Sequence, residues 1–303
     1  MTHAIRGVHA AIATPVDARG NPDPAMLAEH ALALLDEGCH GIALTGTTGE
    51  ANSLGLTQRI DLLEAAIRHG VPAETILPGT GLPSVADTAA LTRHAVDART
   101  KGVLILPPHY YKDLDDEGLY RFYARVIEAV GDDRLRVVLY HIPQISMTPI
   151  SHALIERLLG AFPGVVCGIK DSSGDLDNML EMARRFPGLG VLSGADPLML
   201  PLLQAGGAGC ITGAANLCAD ALRVIYDGWN DPAKAAEVKA AQERAIGWRN
   251  LVSRPPQLAT VKALVARRRD NPGWAGMLPP LVELDEAAKQ DLWADMAALE
   301  AAS

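Results

Sequence analysis

Short runs of branched and apolar residues alternate with amphipathic stretches along most of this 303-residue chain. The runs Val8–Thr14, Gly41–Thr45, Thr75–Gly79, Gly102–Leu106, Arg136–His141, Val165–Lys170, Gly190–Ser193 and Gly209–Thr212 have the length and composition of buried strands. Between them, Pro24–Glu37, Thr57–Arg68, Val85–Arg99, Asp115–Val130, Ser151–Leu159, Leu176–Phe186 and Pro197–Gln204 carry helical periodicity. Thr57, Ser84, Asp115, Ser151, Asp175 and Asp196 are the residue types that cap helix N-termini. Eight strands, each followed by a helix, predict an α/β fold of the (β/α)8 TIM-barrel type. An open doubly wound sheet is the runner-up, but no GxGxxG follows the first strand. From Asp231 onward the pattern is helical only, broken at Pro255-Pro256 and Pro279-Pro280. The expected division is a barrel over 1–228 and a C-terminal helical extension over 229–303.

Bulk properties narrow the function classes. Hydrophobic residues make up 49% of the chain, enough for one large core. No stretch approaches the ~20 apolar residues of a membrane span, and the start, Met1-Thr2-His3-Ala4-Ile5, has no secretory apolar region. A cytoplasmic protein is expected. The net charge of −9 disfavours nucleic acid as a partner. The basic run Arg267-Arg268-Arg269 suits a helix C-terminus. The four cysteines form no CxxC pair, and Cys39, Cys167 and Cys210 fall in or beside apolar runs that suggest core packing. The histidines show no ligand spacing, so no metal site is expected.

The chemistry gathers at the strand ends, where TIM-barrel active sites lie. Lys170 closes the run Val165-Val166-Cys167-Gly168-Ile169, so it faces a dry interior where desolvation disfavours the ammonium. A neutral amine there can attack a ketone carbon and form a Schiff base. Tyr140, at another strand end, is a candidate proton shuttle. Gly46-Thr47-Thr48-Gly49 offers hydroxyls and backbone N–H groups in a tight turn, a nest suited to a small carboxylate. Further strand-end residues are His109-Tyr110-Tyr111, His141, and Ser193-Gly194-Ala195-Asp196. A second enzymatic reading takes Ser193-Gly194 and Gly206-Gly207-Ala208-Gly209 as a phosphate site.

The motifs Gly46-Thr47-Thr48-Gly49-Glu50, Tyr140-x-x-Pro143 and Gly168-Ile169-Lys170-Asp171-Ser172 resemble those of the pyruvate-dependent class I aldolases. That family includes dihydrodipicolinate synthase, N-acetylneuraminate lyase and 2-keto-3-deoxy sugar acid aldolases. The resemblance implies that Lys170 captures the C2 carbonyl of pyruvate or a 2-keto acid, with Tyr140 as general acid/base. It implies that Thr47 links Tyr140 to Tyr111, reached from a neighbouring subunit of a homo-oligomer, usually a dimer of dimers. Thr48, with the Gly46 and Gly49 backbone, would hold the carboxylate. The imine on Lys170 needs no metal or organic cofactor.

Departures from the family pattern bear on the substrate. Dihydrodipicolinate synthases carry an arginine five positions after the strand-five tyrosine, and here that position is Ile145. Its loss removes a charge-assisted carboxylate contact of roughly 1.5–3 kcal/mol. An apolar residue is more like the sialic acid lyases and keto-deoxy sugar acid aldolases. Sialate lyases, however, usually differ at His141, Ser172 and Gly194-Ala195-Asp196-Pro197. The expected substrate is a hydroxylated 2-keto acid, held by neutral groups on Gln144, Ser146, Ser172, Ser193 and Asp196. The alternatives are 4-hydroxy-tetrahydrodipicolinate synthase activity despite Ile145, and a non-catalytic sugar-acid sensor on the same fold.

Overall fold

The computed structural model describes residues 4–17 and 19–301, so the first residues of the start sequence lie outside the described residues. Seven parallel strands form one sheet: β1 (Gly7–Ala11), β2 (Gly41–Ala43), β3 (Val103–Ile105), β4 (Val137–His141), β5 (Val166–Asp171), β6 (Gly190–Ser193) and β7 (Gly209–Thr212). Their order, β2-β1-β7-β6-β5-β4-β3, with helices between successive strands, is that of a (β/α)8 TIM barrel with a C-terminal helical part. Every residue of these strands is buried, as expected where helices cover a parallel sheet.

The remaining expected strand, Thr75–Gly79, is reduced to a single bridge, Gly79 to Leu104. Pro78 has no N–H to donate, which interrupts the ladder. The segment still lies parallel to β3: Lys101 N–H donates to Ile76 O, Leu104 N–H to Pro78 O, and Thr80 N–H to Leu104 O, at 2.9–3.0 Å. Its position is strand-like without the full ladder.

The chain divides into two compact units. The first comprises residues 4–7 and Pro72–Ile211 and contains β3 to β6. Three of its helices begin with short side-chain caps: Asp115 accepts from Gly118 N–H, Ser151 from Leu154 N–H and Asp175 from Asn178 N–H, at 2.7–3.0 Å. Ser84 makes the same contact with Asp87 N–H at 3.4 Å. Asp196 is not a cap. It sits inside the turn Asp196–Leu198, which Ala195 precedes, and is fully buried.

The second unit comprises Val8–Val71 and the described residues from Thr212 onward. It carries β1, β2 and the helices Ala215–Gly228, Ala235–Val252, Gln257–Arg268 and Glu286–Ala301. Thr57 is one residue inside the helix Leu56–Arg68, where Gln58 Oε1 instead accepts the Gly55 N–H at 2.9 Å. The basic run is used within this unit. Arg268 donates to Leu217 O, Arg269 pairs with Glu37 at 2.9 Å, and Arg267 lies over the Trp293 ring. All four cysteines are buried thiols. No helix among the described residues is long and apolar enough to cross a membrane.

Candidate active site

In the first unit β4 and β5 run side by side with Tyr140 opposite Lys170. Residues in register across a parallel ladder project to the same side of the sheet. The Lys170 Nζ accordingly lies 4.2 Å from the centroid of the Tyr140 ring. Lys170 is 6% exposed and Tyr140 5%. A ring face beside a nitrogen favours positive charge on it, and a protonated imine carries that charge. The pair therefore brings together a buried primary amine, an adjacent phenol and a ring face suited to a cationic nitrogen.

The next register pair, His141 and Asp171, projects to the opposite side because strand side chains alternate. His141 is committed there: its Nδ1 accepts the Ile150 N–H at 3.1 Å. Burial lowers its pKa, with Asp171 opposing that shift. The Asp171 carboxylate accepts from Ser173 N–H, Ser173 Oγ and Asn178 Nδ2 at 2.6–2.8 Å. These side chains secure the end of β5 and do not share the side of Lys170.

The structure thins out the expected neutral donors. Ser193 is in register with Asp171, on the side away from Lys170, and its Oγ donates to Ala195 O at 2.8 Å. The same Oγ accepts the Ala195 N–H at 3.1 Å, so Ser193 is engaged in the local turn. Ser146 is fully buried, its Oγ spent on Ile142 O and Thr148 O. Ser172 packs tightly against Gly194, where a Cβ would come within 2.0 Å of the Ser172 Oγ, so only glycine fits. Gln144 Nε2 donates to Ser172 O at 2.6 Å, tying the short helix Pro143–Ser146 to the end of β5. Ile145 projects outward, 56% exposed.

Tyr111 is 68% exposed, with Tyr110 packed edge-on against it at 5.5 Å. Lys112 Nζ, from the same loop, donates to His109 O and, at 3.4 Å, to Ser146 O. Thr148 Oγ1 donates to Pro108 O at 3.2 Å. Tyr110, Tyr111, Ile145 and Met147 are all exposed large apolar side chains on these two tethered segments.

The threonine turn belongs to the second unit. Gly46 O accepts from Gly49 N–H and Ala51 N–H, and Thr47 O from Glu50 N–H, at 3.1–3.2 Å. The Gly49 N–H is thus engaged inside the turn, while Gly46, Thr47 and Thr48 are half-buried. Thr14 Oγ1 donates to Gly49 O at 2.9 Å and pins the turn to the end of the first strand segment.

A model of the dihydrodipicolinate synthetase family matches residues 4–299. The chain belongs to that family. As a family member it is an enzyme of the pyruvate-dependent class I lyase type. It is 33% identical over 277 residues, 91% of each chain, to an uncharacterized DapA-like lyase of Chloroflexus aurantiacus. It is 32% identical to a 4-hydroxy-tetrahydrodipicolinate synthase of Corynebacterium urealyticum over 97% of this chain and 96% of that one. Among solved structures it resembles dihydrodipicolinate synthase from Agrobacterium tumefaciens, with TM-score 0.86, 29% identity, and 97% and 99% of the two chains covered.

Two buried groups in the second unit escaped sequence reading. Lys262 donates to Glu50 Oε1 at 2.5 Å, and both side chains are fully buried. Asn216 accepts from Ala13 N–H and donates to Ala11 O and Gly213 O. A lysine inside an amphipathic helix ordinarily reads as a solvent-facing residue. Nothing local in the sequence says that its partner lies 212 positions earlier.

Proposed function

We propose that this enzyme is a Schiff-base aldolase or lyase for a hydroxylated 2-keto acid, with pyruvate as product or donor. The observation that carries the reading is Lys170 Nζ 4.2 Å over the Tyr140 ring, with both side chains buried. Lys170 Nζ adds to C2 of the keto acid, and loss of water leaves an iminium. Tyr140 relays protons at the C2 oxygen and then at the hydroxyl on C4. Cleavage of the C3–C4 bond sends its electron pair into the iminium, giving an enamine and an aldehyde. Protonation at C3 and hydrolysis release pyruvate and Lys170. Condensation is the same path reversed. By the family resemblance, Thr48 holds the carboxylate and Thr47 connects Tyr140 to Tyr111 of a neighbouring copy. The imine on Lys170 replaces any metal or organic cofactor in this scheme.

Ile145 supports the substrate assignment. A semialdehyde carboxylate leaving water needs a cationic partner, and an alkyl chain supplies none. Gln144 and Ser172, neutral and at the rim, suit hydroxyl groups. One observation favours a second reading, 4-hydroxy-tetrahydrodipicolinate synthase: Lys112 Nζ lies against Ser146 O, one residue from Ile145. Rates with 2-keto-3-deoxy sugar acids, N-acetylneuraminate, 4-hydroxy-2-oxoglutarate, and pyruvate plus aspartate semialdehyde separate the two. Faster cleavage of a hydroxylated acid is the expected result. Condensation with the semialdehyde at about 1–10³ per second establishes the second reading instead.

A further inference from the structure

Glu50 closes the threonine motif, yet the proposed chemistry gives it no role. Its carboxylate is fully buried with the Lys262 ammonium at 2.5 Å, and its second oxygen accepts the Leu278 N–H at 2.8 Å. Both partners come from the C-terminal segment. Buried ion pairs are weak sources of stability, because desolvation offsets much of the attraction. Stability alone therefore does not account for this pair, and its contacts point to a geometric task.

The backbone identifies that task. Thr45 and Glu50, which bracket Gly46-Thr47-Thr48-Gly49, both lie in the left-handed region, with φ of 51° and 55°. Such conformations are costly for residues with a Cβ, most of all a β-branched one, and persist where the surroundings over-determine them. Glu50 is held by its two carboxylate contacts. Just beyond it Arg59, also buried, donates to Ala51 O. At the other side a Cβ on Gly49 would lie 3.1 Å from both Ile12 O and Thr14 Oγ1, so the turn packs closely against the end of the first strand segment.

We propose that the Glu50–Lys262 pair is a positioning device that fixes the Thr47-Thr48 turn for binding the substrate carboxylate, which couples the C-terminal helices to substrate affinity. This rests on the Schiff-base reading and adds residues to it. Neither side chain touches the substrate; both act through the turn.

The test is borohydride trapping of the whole protein over a range of pyruvate concentrations. The variants are Lys262→Met, the pair Glu50→Gln/Lys262→Met, which keeps an acceptor for Leu278 N–H, and the charge-preserving Lys262→Arg. Thermal melts identify the folded variants. The pyruvate concentration giving half-maximal trapping should rise at least tenfold when the pair is neutralised. Trapping on Lys170 at saturating pyruvate should persist, and Lys262→Arg should recover most of the affinity. A folded variant lacking the charge pair whose half-saturation stays less than tenfold above that of the unmodified protein overturns the inference. An unmodified protein that traps nothing overturns the Schiff-base reading and this inference together, so the two failures are distinct.

Discussion

In the proposed mechanism two residues, Lys170 and Tyr140, carry the chemistry, and both stand at the ends of apolar runs in the sequence. Lys170→Ala should abolish trapping with pyruvate and borohydride and lower turnover by several orders of magnitude, while a cooperative melt shows that the fold persists. Tyr140→Phe keeps the ring beside Lys170 Nζ and removes only the hydroxyl. Turnover should fall about 10²–10⁴-fold, the usual worth of a positioned acid/base, with the imine still trapped; unchanged turnover removes Tyr140 from the mechanism. Ile145 is exposed, so Ile145→Arg disturbs no core packing. It should raise the rate with aspartate semialdehyde relative to hydroxylated acids by roughly ten- to a hundred-fold. The alternation that places Tyr140 on the side of Lys170 turns His141 to the opposite side, since neighbours in a strand face opposite ways. The register of Ser193 against Asp171 was not legible, because it depends on pairing, which a single strand does not display.

At the scale of elements, composition located strands and helices well and went astray where the backbone is interrupted. Pro78 reduces one expected strand to a single bridge. Thr57 and Asp196 have the chemistry of caps but fall inside their elements. Long-range buried pairing left no local trace. The helix Pro24–Asp36 buries His30, whose Nε2 meets Asn216 Oδ1 at 3.1 Å while Nδ1 accepts from Arg269 Nε at 3.0 Å. Burial, reinforced by the Arg269 charge, pushes its pKa from 6.5 down to about 3. The unfolded chain takes up this proton near 6.5 and the folded chain only near 3. Its stability contribution is therefore complete above about pH 6.5 and is lost progressively as pH falls toward 3. Melting temperatures from pH 7 to pH 4 should fall more steeply for the unmodified protein than for His30→Gln; parallel curves contradict this. Lys262→Met alone should cost about 3–5 kcal/mol in denaturant unfolding, the price of stranding a buried partner charge.

For the whole molecule, the family and the fold were readable because three motifs and the strand–helix rhythm are spread along the chain. The substrate was not, because it depends on a few rim residues whose partners lie on other segments. Tyr110, Tyr111, Ile145 and Met147 form an exposed apolar group, of a kind that marks contact surfaces. A homo-oligomer, by family resemblance a dimer of dimers, is the proposed assembly. Tyr111→Asp should shift sedimentation toward smaller species and reduce activity together; a fully active monomer contradicts a shared Tyr111. The central claim is the imine itself. Incubation with pyruvate and borohydride followed by peptide mapping tests it most directly. The account predicts one reduced pyruvate adduct per chain, on Lys170, with turnover lost in proportion. An active enzyme that acquires no adduct, or one modified at another lysine, contradicts it.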